Sequence, residues 1–134
     1  MKAPRFRVTS VTITAPDPRA LARFYARLLG RRVTAEEGPR PDEPPEAGWA
    51  QIRAAEGSGE VTLNFEYERR WRAPRWPAEP EGVFATQHLD IRVDDLEAAV
   101  RHAVEAGATL ASYQPQEDVR VLFDPAGHPF CLFL

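Results

Sequence analysis

Ser10-Val-Thr-Ile-Thr-Ala-Pro-Asp-Pro-Arg-Ala-Leu-Ala-Arg-Phe-Tyr-Ala-Arg-Leu-Leu-Gly30 decides the fold, because its plan returns in the second half of the chain. There it reads His88-Leu-Asp-Ile-Arg-Val-Asp-Asp-Leu-Glu-Ala-Ala-Val-Arg-His-Ala-Val-Glu-Ala-Gly107. Each copy opens with apolar and polar residues in alternation, the pattern of a strand. Each then meets an acid, Asp17 or the Asp94-Asp95 pair, suited to start a helix; Pro18 follows the first at a position where a missing N–H costs nothing. Leu21, Phe24, Tyr25 and Leu28 recur at helical spacing, with Arg19, Arg23 and Arg27 facing away. Leu96, Ala99, Val100, Ala103 and Val104 form the matching stripe, and a glycine ends each helix. The spacing from Ser10 to Asp17 equals that from His88 to Asp95, so the chain carries an internal repeat.

Outward from these anchors, period-two alternation predicts strands over 6–15, 31–35, 49–54, 60–67, 86–93, 109–113, 119–123 and 129–134. Proline-rich stretches at 38–46 and 68–82 read as loops, since proline removes backbone donors from a ladder. The order is β-α-β-β-β, loop, β-α-β-β-β. It predicts an α+β fold: two tandem βαβββ modules forming a shared, curved-sheet cleft within one domain spanning 1–134. Module one covers about residues 5–67, the connecting loop 68–84, and module two about 85–134.

A chain of 134 residues with 43% hydrophobic and 28% charged content needs no staples to fold. The net charge of −3 gives no electrostatic reason for nucleic acid. Arg69, Arg70, Arg72 and Arg75 do alternate with Trp71 and Trp76, but Glu66, Glu68, Glu79 and Glu81 flank them. The single Cys131 fits a reducing compartment. No apolar run is long enough for a signal or a membrane span, so a cytoplasmic protein without membrane partner is expected.

Strand parity sorts side chains by face. Opposite the helix-facing residues lie Ser10, Thr12 and Thr14; Thr62, Asn64 and Glu66; His88, Asp90 and Arg92; Cys131 and Phe133; and Trp49, Gln51 and Arg53. A few polar groups among aromatic walls suit a small-molecule pocket.

The run Ser10 to Pro18 followed by Phe24-Tyr25 and Leu29-Gly30, the run His88 to Leu96, and Asp124-Pro-Ala-Gly-His-Pro-Phe-Cys131 together resemble the vicinal oxygen chelate superfamily. That superfamily joins glyoxalases, bleomycin resistance proteins and extradiol dioxygenases, and the resemblance covers nearly the whole chain. It implies metal-ligand positions at Ser10, Asn64, His88 and Cys131, where metal-using members carry histidine, glutamate and glutamine. Only His88 keeps a strong ligand, so no metal cofactor is expected; the alternative is a divalent metal held with the help of Glu60, Glu66 or Asp90.

The resemblance then implies a metal-free binder of the bleomycin-resistance type, holding an aromatic or planar ligand and sequestering an antibiotic. Its ligand-binding set is Ser10, Thr12, Trp49, Gln51, Asn64, Glu66, Trp71, Trp76, His88 and Cys131. The alternative is a glyoxalase-like lyase, isomerase or dioxygenase, either metal-dependent or using His88 and Asp90 as an acid–base pair. Cys131 reads as packing before nucleophile. His128 is assigned to local hydrogen bonding in its turn, and His102 to solvent. The resemblance also implies a homodimer.

Overall fold

Acids start both helices. In the computed structural model, which describes residues 1–134, the Asp17 carboxylate accepts from the Ala20 N–H and opens α1, Pro18–Leu29. Asp95 does the same for Ala98 and opens α2, Leu96–Ala106. Each bond satisfies one of the N–H groups a helix start leaves unpaired. Gly30 ends α1 in the left-handed region at φ 64°, where a side chain is disfavoured.

The strands are β1, Ser10–Ala15; β2, Ala35–Glu37; β3, Trp49–Ile52; and β4, Thr62–Tyr67 in module one. Module two supplies β5, Leu89–Arg92; β6, Thr109–Leu110; β7, Val119–Phe123; and β8, Pro129–Phe133. The sheets run β1-β4-β3-β2 and β5-β8-β7-β6, so the two halves share one topology. In each, the first and last strands pair parallel, and β1 and β5 each lie at a free end of their sheet. The two-module α+β fold expected from the repeat is the one observed. No helix is long and apolar enough to cross a membrane.

Several elements differ from expectation. Residues 6–9 are not strand, and Phe6 and Val8 stay 91% and 78% exposed, because β4 begins only at Thr62, the partner of Ser10. The strand expected over 31–35 forms instead at 35–37, where it pairs with β3. The one expected over 109–113 closes at Leu110. Val104 faces solvent; α2 buries Ala103 and Ala106 instead.

The two helices carry unequal weight. α1 buries Leu21, Ala22, Phe24 and Tyr25, and its aromatics join the modules. Tyr25 stacks on Phe65 of β4 with centroids 5.7 Å apart, while Phe24 meets Phe130 of β8 edge-on at 6.1 Å. Burying such side chains stabilises by about 1.5–3 kcal/mol each. The helices also close one another's C-terminal ends. Arg27 donates to the Ala106 carbonyl at 2.8 Å, and His102 Nε2 reaches the Arg27 and Leu28 carbonyls at 3.1 Å. His102, exposed as expected, thus also caps the end of α1.

Candidate functional site

At the junction of the modules lies a buried carboxylate. Asp124, 4% exposed, follows β7 and accepts from the Ala126 and His128 backbone N–H groups at 3.0 Å. Its Oδ2 accepts from the Tyr25 hydroxyl at 2.7 Å and lies 2.8 Å from His128 Nδ1. The other ring nitrogen, Nε2, donates across the junction to the Thr14 carbonyl of β1 at 2.9 Å. Both ring nitrogens of His128 therefore face acceptors, the Asp124 carboxylate on one side and the Thr14 carbonyl on the other. His128 thus makes the local bonds its turn predicts and also a long-range tie. Burial first, then the charge and hydrogen bond of Asp124, hold the Tyr25 phenol well above its ordinary pKa.

Beside this network opens a cavity of about 650 Å³, within the range that holds small-molecule ligands. Four consecutive residues of β1, Val11 to Thr14, line it. Successive strand residues point to opposite faces, so the cavity follows the free edge of β1 and not one face of the sheet. Residues 83–89 form the other wall, and Trp71 and His128 reach it from the connecting loop and the β7–β8 turn. Trp71 is fixed by a bond from Nε1 to the Ala126 carbonyl at 3.1 Å and by its ring 4.7 Å from that of His128. Gly127 lets the loop approach: its φ is 98°, and a Cβ there would lie 2.8 Å from that of Ala73.

The helix-free sheet faces carry the remaining predicted residues. On module one, Gln51 and Asn64 are cross-strand partners, and the Gln51 amide donates to the Asn64 Oδ1 at 2.9 Å. Trp49 lies between Glu37 and Glu66 in register and donates to Glu37 at 3.1 Å. On module two, Asp90 pairs with Cys131, and His88 Nε2 sits 3.2 Å from Asp90 Oδ1. Burial first, then the Asp90 charge and hydrogen bond, push the Cys131 thiol up, which disfavours the nucleophilic thiolate.

The four positions where the superfamily resemblance places metal ligands do not fit a divalent ion. Asn64 spends its amide oxygen on Gln51, and Ser10 is a neutral, exposed hydroxyl at the end of β1. Module one therefore offers no charged donor at its two positions. One atom each of His88, Asp90 and Cys131 lie within 4.8 Å of one another, a cluster confined to module two.

The predicted ligand residues thus divide. Thr12, Trp71 and His88 line the cavity. Ser10, Trp49, Gln51, Asn64 and Glu66 lie outside it on the module-one face, and Cys131 with Asp90 on the module-two face. Trp76 packs on Tyr113 and Phe123, centroids 5.8 and 6.5 Å away, and closes the edge of module two instead of the cavity. Sequence reasoning missed Tyr25, Arg72 and Phe84 as cavity residues. Tyr25 was hidden by its place in an apolar stripe. The alternation of Arg72 with Trp71 was the available signal for a loop presenting both aromatic and cationic groups.

No curated protein matches the chain by sequence. Three solved structures share its fold across nearly their full length. A glyoxalase family protein from Enterococcus faecalis is 20% identical, with a TM-score of 0.64 over 96% of this chain and 97% of the other. TnmS3, an antibiotic-binding protein from Streptomyces sp. CB03234, is 17% identical, with a TM-score of 0.60 over 98% of both. The fosfomycin resistance protein FosX from Mesorhizobium loti is 11% identical, with a TM-score of 0.65 over 95% and 90%. The family model for the glyoxalase-like domain matches residues 10–133. With that match joined to a duplicated βαβββ topology, the chain belongs to the glyoxalase-like domain family of the vicinal oxygen chelate superfamily.

Proposed function

We propose that this protein binds a planar, aromatic small molecule, of the kind exemplified by antibiotics, and sequesters it without a family-type metal centre. The observation that carries the reading is the cavity at the module junction, walled by Trp71 and Phe84 and floored by the Tyr25–His128 network. Flat rings stack on such walls, and the hydrogen-bonded floor holds them in place before the ligand arrives. The fold likeness to TnmS3, an antibiotic-binding protein, supports the class of function. A cytoplasmic homodimer completes the proposal, with the exposed Phe6 and Val8 ahead of β1 as apolar surface for a second copy. A light-scattering mass near one chain at working concentration would refute the dimer.

The test is a thermal-shift screen of aromatic natural products, followed by fluorescence titration of hits on the native protein and on Trp71→Phe. Hits that raise the melting temperature and quench native fluorescence, with most of the quenching lost in the variant, support the reading. A screen without a single shift overturns it.

One observation favours a second reading. His88 lines the cavity and lies within hydrogen-bond reach of Asp90, an arrangement suited to moving a proton on a bound molecule. His88→Ala separates the two: a binder keeps most of its affinity, whereas an enzyme loses turnover.

A further inference from the structure

The cavity's walls carry an asymmetry of charge. Aspartate and glutamate outnumber lysine and arginine in the chain, 20 to 17, yet no aspartate or glutamate lines the cavity, while Arg72, His88 and His128 do. Two of those three already sit against a carboxylate, His88 on Asp90 and His128 on Asp124. Arg72 is not. The chain's other ion pairs are Arg23–Glu36 and Arg31–Glu60, and the side-chain hydrogen bonds made by arginine come from Arg19, Arg27, Arg31 and Arg120. Glu79 and Glu81 share a separate neighbouring depression with Arg72, but neither pairs with it. An unpartnered guanidinium therefore stands at the rim of an aromatic cavity that holds no competing carboxylate.

We infer that the ligand is an aromatic anion, its ring against Trp71 and Phe84 and its carboxylate, sulfonate or phosphate on Arg72. The inference rests on the binding reading above and names the class of molecule that site selects. A guanidinium presents parallel N–H donors that match two oxygens of such a group, a fit the point charge of an ammonium does not reproduce. The neighbouring Thr86 and Gln87, also on the wall, are neutral and leave the sign of the site to Arg72. Because Arg72 is exposed, the selectivity is moderate and weakens as salt screens it.

Three probes with one ring system and three charges test it by calorimetry: 1-naphthoate, 1-naphthalenemethanol and 1-naphthylmethylammonium. Naphthoate is expected to bind about tenfold tighter than the neutral alcohol, and the ammonium weakest. In Arg72→Gln the naphthoate advantage disappears while the alcohol's affinity stays within about twofold; Arg72→Lys keeps part of the advantage. Equal binding of all three probes overturns the anion inference and leaves the aromatic cavity standing. A naphthoate preference unchanged in Arg72→Gln overturns the role of Arg72. Absence of binding by every probe at millimolar concentration overturns the inference together with the reading beneath it.

Discussion

Replacing Tyr25 with phenylalanine removes one hydroxyl and, with it, a hydrogen bond joining α1 to the Asp124 turn 99 residues away. The ring itself keeps its stacking on Phe65 and its edge contact with Phe24, so packing is nearly conserved. The loss falls on Asp124, whose buried carboxylate retains two backbone donors and His128 but loses the 2.7 Å phenolic one. A hydrogen bond to a charged group contributes about 1.5–3 kcal/mol. For a domain of this length that lowers the melting temperature by roughly 5–10 °C. Differential scanning calorimetry at pH 7 reads it, with Tyr113→Phe as the control, since exposed Tyr113 has no hydroxyl partner in the chain. A fall of less than about 2 °C would refute the reasoning, because no charge-assisted bond buried this deeply is worth so little. A cycle with Asp124→Asn then isolates the pair: the two losses should be strongly non-additive, as for residues in direct contact.

Three further outcomes follow from neighbouring features. Stability should fall as pH rises above about 10, because the folded state holds the raised Tyr25 proton while the unfolded chain releases it, and Tyr25→Phe should flatten that alkaline limb in urea titrations. Asp90→Asn should speed alkylation of Cys131 by iodoacetamide at pH 8, since part of what pushes the thiol up is removed; an unchanged rate would assign the whole shift to burial. Gly127→Ala should destabilise by about 1–3 kcal/mol in chemical denaturation, through the left-handed backbone at φ 98° and the collision with Ala73.

The architecture was legible because duplication repeats its signals. Two N-cap acids, two glycine stops and eight alternating runs mark the elements, and the structure places the strands of both modules in one order. Local pattern misled where pairing length decided. Phe6 and Val8 alternate like strand residues, but β4 is too short to pair with them. Val104 falls within the apolar periodicity of α2, yet the buried positions go to alanines, because α1 already fills the junction with Phe24 and Tyr25. The site was only half legible. Parity sorted sheet faces correctly for pairs such as Gln51 with Asn64 and Asp90 with Cys131. The cavity, however, runs along a strand edge, and parity carries no information about edges. Its floor depends on Asp124 meeting Tyr25, a contact that no local spacing encodes.

The divergence of the two modules accounts for where the site lies. In the first, the amide pair Gln51–Asn64 and the Trp49–Glu37 bond tie up polar atoms of the helix-free face in contacts within module one. In the second, His88 and Asp90 satisfy one another beside a protonated Cys131. At the junction the situation is reversed. The free edge of β1 supplies a wall, Trp71 and Phe84 supply aromatic surface, and Arg72 supplies a cation with no partner. The connecting loop provides both Trp71 and Arg72, and it is held there by the Trp71–Ala126 bond and by Gly127. Loosening that anchor should therefore weaken ligand binding through geometry. Gly127→Ala should lower affinity for 1-naphthoate and 1-naphthalenemethanol alike, whereas Arg72→Gln lowers it for naphthoate alone.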